Sequence, residues 1–260
     1  MSPDVPHPQH PVVQRLRIRY AKRGRLRFAS VRDFQRALER ALRRAVIPVA
    51  FSQGFSPHPK ISYANAVPTG VASEAEYVEI GLRQVCEPGD VAARLDAALP
   101  DGFDVVDVAE AVGASLGERL SGPLAASSWQ IRFPSVAPRH LDEALRRLVA
   151  ADSVPLPRVT KSGRTEVDVR AALVSAVVAG DPDEPDCAIL QVVVRHGTPS
   201  VRPDDVLAGL RIAAGLEPPV PPVATRLAQG PLDEQTGSVV DPLAVSAATR
   251  DPGTAADDPG

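Results

Sequence analysis

The sequence predicts an α+β protein of two tandem ferredoxin-like βαββαβ units, about residues 14–112 and 128–229, with disordered termini at 1–13 and 230–260. Three observations lead there. Apolar residues alternate between strand-like and helix-like spacing in the same order twice. Short runs recur between the two halves at nearly constant offsets. The ends are too rich in Pro, Gly and acidic residues to bury a core that would offset their ordering entropy.

Leu16, Ile18 and Tyr20 alternate with Arg15, Arg17 and Arg19, the pattern of a half-buried strand. Val31, Phe34, Leu38, Ala41 and Ala45 follow at helical spacing, with Ser30 in position to cap. Strand-like runs come next at residues 60–67 and 77–82. Pro88 opens a helix with Val91, Leu95 and Ala98 on one face, Pro100 stops it, and residues 104–109 close the unit. After a Gly-, Ser- and Ala-rich linker over 113–127, the order restarts with Trp129, Ile131 and Phe133 in alternation. Residues 138–151 are predicted helical, with Leu141, Leu145 and Leu148 inward. Strands flank a hairpin turn at Ser162-Gly163, and residues 187–195 form a further strand. A helix over 203–214 ends at Gly215, and a last strand covers 223–228.

The halves also match in residues. Ile18-Arg19-Tyr20 aligns with Ile131-Arg132-Phe133 at an offset of 113. Pro88, Asp90, Val91, Leu95 and Ala98 align with Pro203, Asp205, Val206, Leu210 and Ala213 at 115. Ala37-Leu38 aligns with Ala144-Leu145 at only 107, so the first half carries about six extra residues between its first strand and helix. These matches imply a tandem duplication with a basic insertion within residues 21–30.

Composition narrows the chemistry. The chain has 260 residues, 44% hydrophobic and 23% charged, which excludes a coiled coil, a collagen or a wholly disordered protein. No apolar run approaches the roughly 18 residues of a membrane helix, and the first 13 residues make no secretory signal, so a cytoplasmic protein is expected. Cys86 and Cys187 alone supply neither a zinc site nor a cysteine-ligated cluster, and no metal or cofactor is expected.

The formal charge of -3 conceals a polarised chain. Residues 14–60 hold 13 of the 29 lysines and arginines against two acids, Asp33 and Glu39. Such a block reads as a footprint for a polyanion, most often nucleic acid. Its strand arginines, Arg15, Arg17 and Arg19, should project from the sheet face opposite the helices, and Lys22, Arg23, Arg25 and Arg27 from the inserted loop. Glu79 is placed to pair with Arg17 or Arg19. Arg32, Arg36, Arg40 and Arg43 lie on the outer helix face, where solvation is the simpler reading. The acidic tail is read as a solvating segment, or else as a competitor folded over the basic block.

The segment 52–60 is the other notable feature. Gly54 permits a positive φ, and Pro57 and Pro59 fix where His58 points. A histidine held beside Lys60 and Phe55 is suited to loop structure, to ligand contact or to general-base work. No sequence partner marks a triad.

The runs Leu16-Arg17-Ile18-Arg19-Tyr20-Ala21-Lys22-Arg23-Gly24, Arg27-Phe28-Ala29-Ser30, Gly54-Phe55-Ser56-Pro57-His58-Pro59-Lys60 and Glu76-Tyr77 resemble the radical SAM-linked family of unknown function. Its members stand beside, or are fused to, cobalamin-binding radical SAM proteins; free-standing forms occur in high-GC Gram-positive bacteria near ribonuclease E/G genes. The resemblance spans roughly residues 14–230. Val31-Arg32-Asp33 departs from the His-Leu-Asp of many members, though Asp33 remains. No CxxxCxxC motif is present, so radical SAM chemistry would belong to a partner. Tandem ferredoxin-like units with a basic first half are also similar to the CRISPR repeat-processing endoribonucleases.

The expected function is an RNA-binding adaptor that presents structured RNA to a radical SAM or ribonuclease partner. Arg15, Arg17, Arg19, Lys22, Arg23, Arg25, Arg27 and Lys60 would contact phosphates; Phe55, His58 and Tyr63 would stack or recognise. The alternatives are a metal-independent endoribonuclease with His58 as general base, and a protein-only scaffold.

Overall fold

The computed structural model describes residues 11–53, 55–111, 116, 124–160 and 163–244. The first strand, β1 (Gln14–Lys22), buries Leu16, Ile18 and Tyr20, as its alternation predicts. Ser30 caps α1 (Val31–Arg44): its hydroxyl accepts from the Asp33 amide while the Asp33 carboxylate accepts from the Ser30 amide. Two otherwise orphaned donors are satisfied reciprocally, which gives Asp33 a structural use. Phe34, Ala37, Leu38, Ala41 and Leu42 form the buried stripe of α1. Next come β2 (Ile61–Ala64), β3 (Ala72–Leu82), α2 (Pro88–Asp96) and β4 (Val105–Glu110). The strands align β4-β1-β3, with β2 on the far side of β3 and every pairing antiparallel.

The second half runs β5 (Ala126–Phe133), α3 (Pro138–Ala150), β6 (Pro155–Thr160), β7 (Gly163–Asp168), α4 (Val169–Ala172), β8 (Leu173–Gly180), β9 (Ala188–Arg195), α5 (Pro203–Ala214) and β10 (Val223–Gly230). Its order is β10-β5-β9-β8, again antiparallel. The strands expected around Ser162-Gly163 are β6 and β7, but they form a separate two-stranded hairpin outside the main sheet; Lys161 and Ser162 lie outside the described residues. The neighbour of β9 is β8, a strand that periodicity does not predict. Val177, on its outer side, is 62% exposed, so the polar-apolar alternation that marks a half-buried strand is blurred.

One mixed sheet joins the halves. Along its length β3 pairs first in parallel with β10, through Ala72 and Ser73, and then with β2, through residues 77–80. Helices cover one face. Leu16, Ile18, Tyr20, Phe34, Leu38, Val78, Ile80 and Leu95 form the core of the first half, with the Tyr20 and Phe34 rings stacked at 3.9 Å. Ile131, Phe133, Leu141, Leu148, Leu190 and Leu210 anchor the second. Each such side chain stabilises the fold by about 1.5–3 kcal/mol relative to exposure.

The opposite face, from which the strand arginines are expected to project, is covered over β1 and β3. Tyr77 and Ala75 pack there with Leu116 and Leu243. The chain after β10 returns as a hairpin of Leu232–Asp233 and Ser238–Val239. Gly230 makes the return possible: a Cβ there would stand 1.9 Å from the Val240 carbonyl oxygen. Residues 230–244, expected to be without structure, are therefore folded, because Leu243 and its neighbours dock on apolar surface that average composition does not reveal. The remainder of the expected disordered ends, residues 1–10 and 245–260, with residue 112 and residues 113–115 and 117–123 of the linker, lie outside the described residues. The linker also ends earlier than expected, since β5 begins at Ala126.

Candidate nucleic-acid interface

The extra residues between β1 and α1 form a 3-10 turn, Gly24–Phe28, pinned at both ends. The Arg23 amide donates to the Gly102 carbonyl at 2.8 Å, and the Gly70 amide to the Arg27 carbonyl at 2.7 Å. Gly102 has a φ of 95°, and a Cβ there would stand 3.0 Å from the Arg23 carbonyl, so glycine is the residue the anchor requires. The turn leaves Arg25 exposed. It holds the Arg27 guanidinium 4.7 Å from the ring centroid of Phe28, which is itself 58% exposed. Immediately afterwards α1 turns Arg32, Arg36, Arg40 and Arg43 to solvent. Among the described residues, Arg43 alone of these four forms an ion pair, with Glu39 at 3.7 Å.

The strand arginines are arranged differently from expectation. Arg17 is 2% exposed and bonded to Glu79 at 3.2 Å, while Arg15 meets the other oxygen of Glu79 at 3.1 Å. Arg19 donates to Asp241 at 2.8 Å and to the Glu74 carbonyl at 2.9 Å. Arg23 is held by Glu74 and Asp104. Lys22 is 7% exposed; burial pushes its ammonium below the usual range, with Glu76 pulling the other way. Arg17 and Lys22 are thus buried, Arg19 is largely covered, and Arg15 and Arg23, 42% and 48% exposed, are each held by internal carboxylates. A cation under cover must be paired, and β3, Asp104 just before β4 and the returning segment supply the carboxylates.

The segment 52–60 closes on itself: the Ser52 amide donates to the His58 carbonyl at 2.8 Å, and the His58 amide to Ser52 Oγ at 3.0 Å. Gly54 lies outside the described residues. His58 and Phe55 are exposed. His58, Lys60, Arg15 and Glu79 line a groove of about 410 Å³. Tyr63 does not join them. Its ring meets Phe34 edge-on at 6.3 Å within the core, and burial, with Glu39 second, pushes its hydroxyl up to about 12. Arg15 pairs with Gly81 and Lys22 with Ser73. The groove and the arginine turn therefore sit at opposite ends of β1, about 23 Å apart at strand rise.

A larger cleft, about 950 Å³, opens between the starts of α1 and α5. Trp129 and Arg226 line it, the guanidinium 5.4 Å from the indole centroid. Arg226 donates to the Glu76 carboxylate and the Asn65 carbonyl, and Glu76 also accepts from the Val67 amide. Arg158, held by Asp205, and Arg202 stand on the wall. His196 lines it too, with Nε2 2.7 Å from Ser127 Oγ and Nδ1 2.9 Å from the Leu124 carbonyl; burial holds its pKa below the ordinary value. Alternation marks Trp129 only as an apolar strand residue, and Arg226 carries no signal in its local sequence.

Asp181, Glu184 and Cys187 bring ligand atoms within 4.8 Å of one another. Arg132 already binds both carboxylates, at 2.6 and 3.1 Å, and supplies the positive charge there. Cys86 and Cys187 are free thiols. No described helix is long and apolar enough to cross a membrane. A family model described as "Uncharacterized protein conserved in bacteria (DUF2344)" matches residues 15–203. No curated protein matches the chain.

Proposed function

We propose that this chain, which belongs to the DUF2344 family of proteins conserved in bacteria, is an RNA-binding adaptor presenting structured RNA to a processing or modifying enzyme. The observation that carries the reading is the row Arg25, Arg32, Arg36, Arg40 and Arg43, exposed on one pinned turn and the adjoining helix in a chain whose net charge is -3. Arginine forks match phosphate oxygens, and such contacts supply affinity without base choice. Helical arginines alone would suit a merely solvated face. The turn adds a cation and an exposed aromatic ring, Phe28, which together suit a phosphate with its unstacked base. Lys60, His58 and Phe55 form a separate contact at the far end of the sheet.

The strand orders β4-β1-β3-β2 and β10-β5-β9-β8 support reading the halves as tandem ferredoxin-like units. The resemblance to the radical SAM-linked family suggests a radical SAM enzyme or an E/G-type ribonuclease as partner, in the cytoplasm. A second reading, metal-independent endoribonuclease, rests on exposed His58 beside Lys60 in one groove. Glu79, the carboxylate lining that groove, is bound to Arg15 and Arg17, which favours binding without cutting. Anisotropy of a labelled RNA hairpin across a salt series tests the proposal. Binding that weakens steeply with salt is expected; absent or salt-independent binding would end it.

A further inference from the structure

We infer that the cleft between the starts of α1 and α5 is a pocket for an unpaired ribonucleotide of the bound RNA. This deepens the RNA reading and rests on it.

Two side chains of the lining carry donors that the protein itself does not satisfy. Trp129 is 5% exposed, yet its buried Nε1 has no hydrogen-bond partner, and the buried Nε of Arg226 has none either. A buried unpaired donor is costly, so a ligand that brings it an acceptor gains. The lining also carries Arg158, Arg202 and Arg226 and no carboxylate. Arg202 is exposed and forms no ion pair among the described residues. Two long helices begin at its rim, α1 after Ser30 and α5 after Arg202, with their first turns already capped by Asp33 and Asp205.

The remaining walls mix apolar side chains with polar ones such as Ser30, Asn65, Thr69 and Ser200. Val31, Val67 and Val159 supply flat contact for a planar base, and the volume of about 950 Å³ is at the upper end of pockets that hold small molecules. A base suits the valines, its carbonyl oxygens or ring nitrogens suit the indole N–H, and the attached phosphate suits Arg202. The position fits as well. The Gly24–Phe28 turn leads directly into Ser30 and Val31, so a strand held on the turn is delivered to the mouth of the cleft. A paired base is stacked within its helix and cannot enter, which makes the pocket selective for single strands.

Trp129 is the protein's one tryptophan, so tryptophan emission, excited where tyrosine does not absorb, reports on this cleft alone. Titrating the full chain with a short oligouridylate is expected to change that emission saturably, in step with the anisotropy of the labelled strand. A blunt duplex of equal length is expected to bind through the arginines and leave the emission unmoved. Arg202→Glu should weaken single-strand binding about tenfold and spare the duplex, because it replaces a phosphate-binding cation with a like charge. Trp129→Phe, which keeps a ring but removes the N–H, should weaken it about fivefold, the worth of one hydrogen bond.

Oligouridylate binding with unchanged Trp129 emission would overturn the pocket and leave the RNA reading intact. So would single-strand affinity untouched by both substitutions. Uridine 5′-monophosphate separates the readings from the other side. A saturable response to it, with neither RNA bound, would keep the pocket as a site for free nucleotide and end the RNA reading. Silence towards all three probes would end both.

Discussion

The carboxylate of Glu76 in β3 is bonded to the guanidinium of Arg226 in β10, with side chains only 2% and 4% exposed. This pair lies at the seam where β3 and β10 run in parallel and the sheets of the two halves become one. Lys22 faces the same carboxylate from β1. The second half thus reaches the first through a charge that two elements of the first already surround.

Glu76→Gln should be among the most destabilising single changes, because it leaves Arg226 and Lys22 buried without a counter-charge. Breaking a buried pair from one side costs about 3–5 kcal/mol. Arg226→Met should cost less, since Lys22 remains to neutralise Glu76. Chemical denaturation of the two variants checks the order; equal losses would mean that Lys22 does not share the site.

The RNA surface can be separated from the covered sheet face. Arg25→Glu combined with Arg36→Glu and Arg40→Glu should weaken RNA binding at least about tenfold. The salt slope should fall by about 0.7 for every single-strand phosphate that is no longer neutralised. Arg19→Ala removes a guanidinium already bound to Asp241. It should leave affinity nearly unchanged while exposing residues 230–244 to limited proteolysis. Equal reductions of affinity in both proteins would move the binding surface to the sheet.

His58 decides between adaptor and enzyme. The purified protein is expected to bind RNA without cutting it in a chelating buffer, and His58→Ala to alter affinity or selectivity alone. Metal-free cleavage by the wild type, abolished in His58→Ala with binding preserved, would establish the ribonuclease reading instead.

His196 should make stability fall on mild acidification. Burial, the larger cause, lowers its folded pKa, with Arg226 acting in the same direction against the bond to the Leu124 carbonyl. The unfolded chain therefore binds more protons below about pH 6.5, the unperturbed histidine value, and protons favour unfolding there. The contribution is complete at neutral pH, is lost as pH falls below that value, and levels off beneath the folded pKa. Thermal melts near pH 7.5 and near pH 5.5 should differ more for the wild type than for His196→Gln, which cannot titrate. An identical difference would assign the acid sensitivity to other groups.

Some of this protein is determined by residues only a few places apart. Ser30 and Asp33 announce the start of α1, Leu16, Ile18 and Tyr20 declare the inner face of β1, and Pro88 and Pro203 stand in the first turns of matching helices. Each rests on a period of two or 3.6 residues, or on a cap that closes within one turn, so a local reading recovers it. The basic insertion between β1 and α1 is legible in the same way, as a change of offset between the halves.

The fate of each charge is not. Arg17 finds Glu79 across 62 positions, Arg226 finds Glu76 across 150, and Arg19 finds Asp241 across 222. Alternation correctly puts Arg17 and Arg19 on the face away from the helices, but only the folded chain brings Leu243 and Asp241 back over β3 to cover it. The parallel seam between β3 and β10 is likewise absent from any local pattern, because the hydrogen bonds that make it are backbone groups common to every sequence. Periodicity assigns a residue to a face. Whether that face meets water or protein, and so whether an arginine there serves a ligand or a buried carboxylate, depends on segments too far along the chain for their approach to leave a local mark.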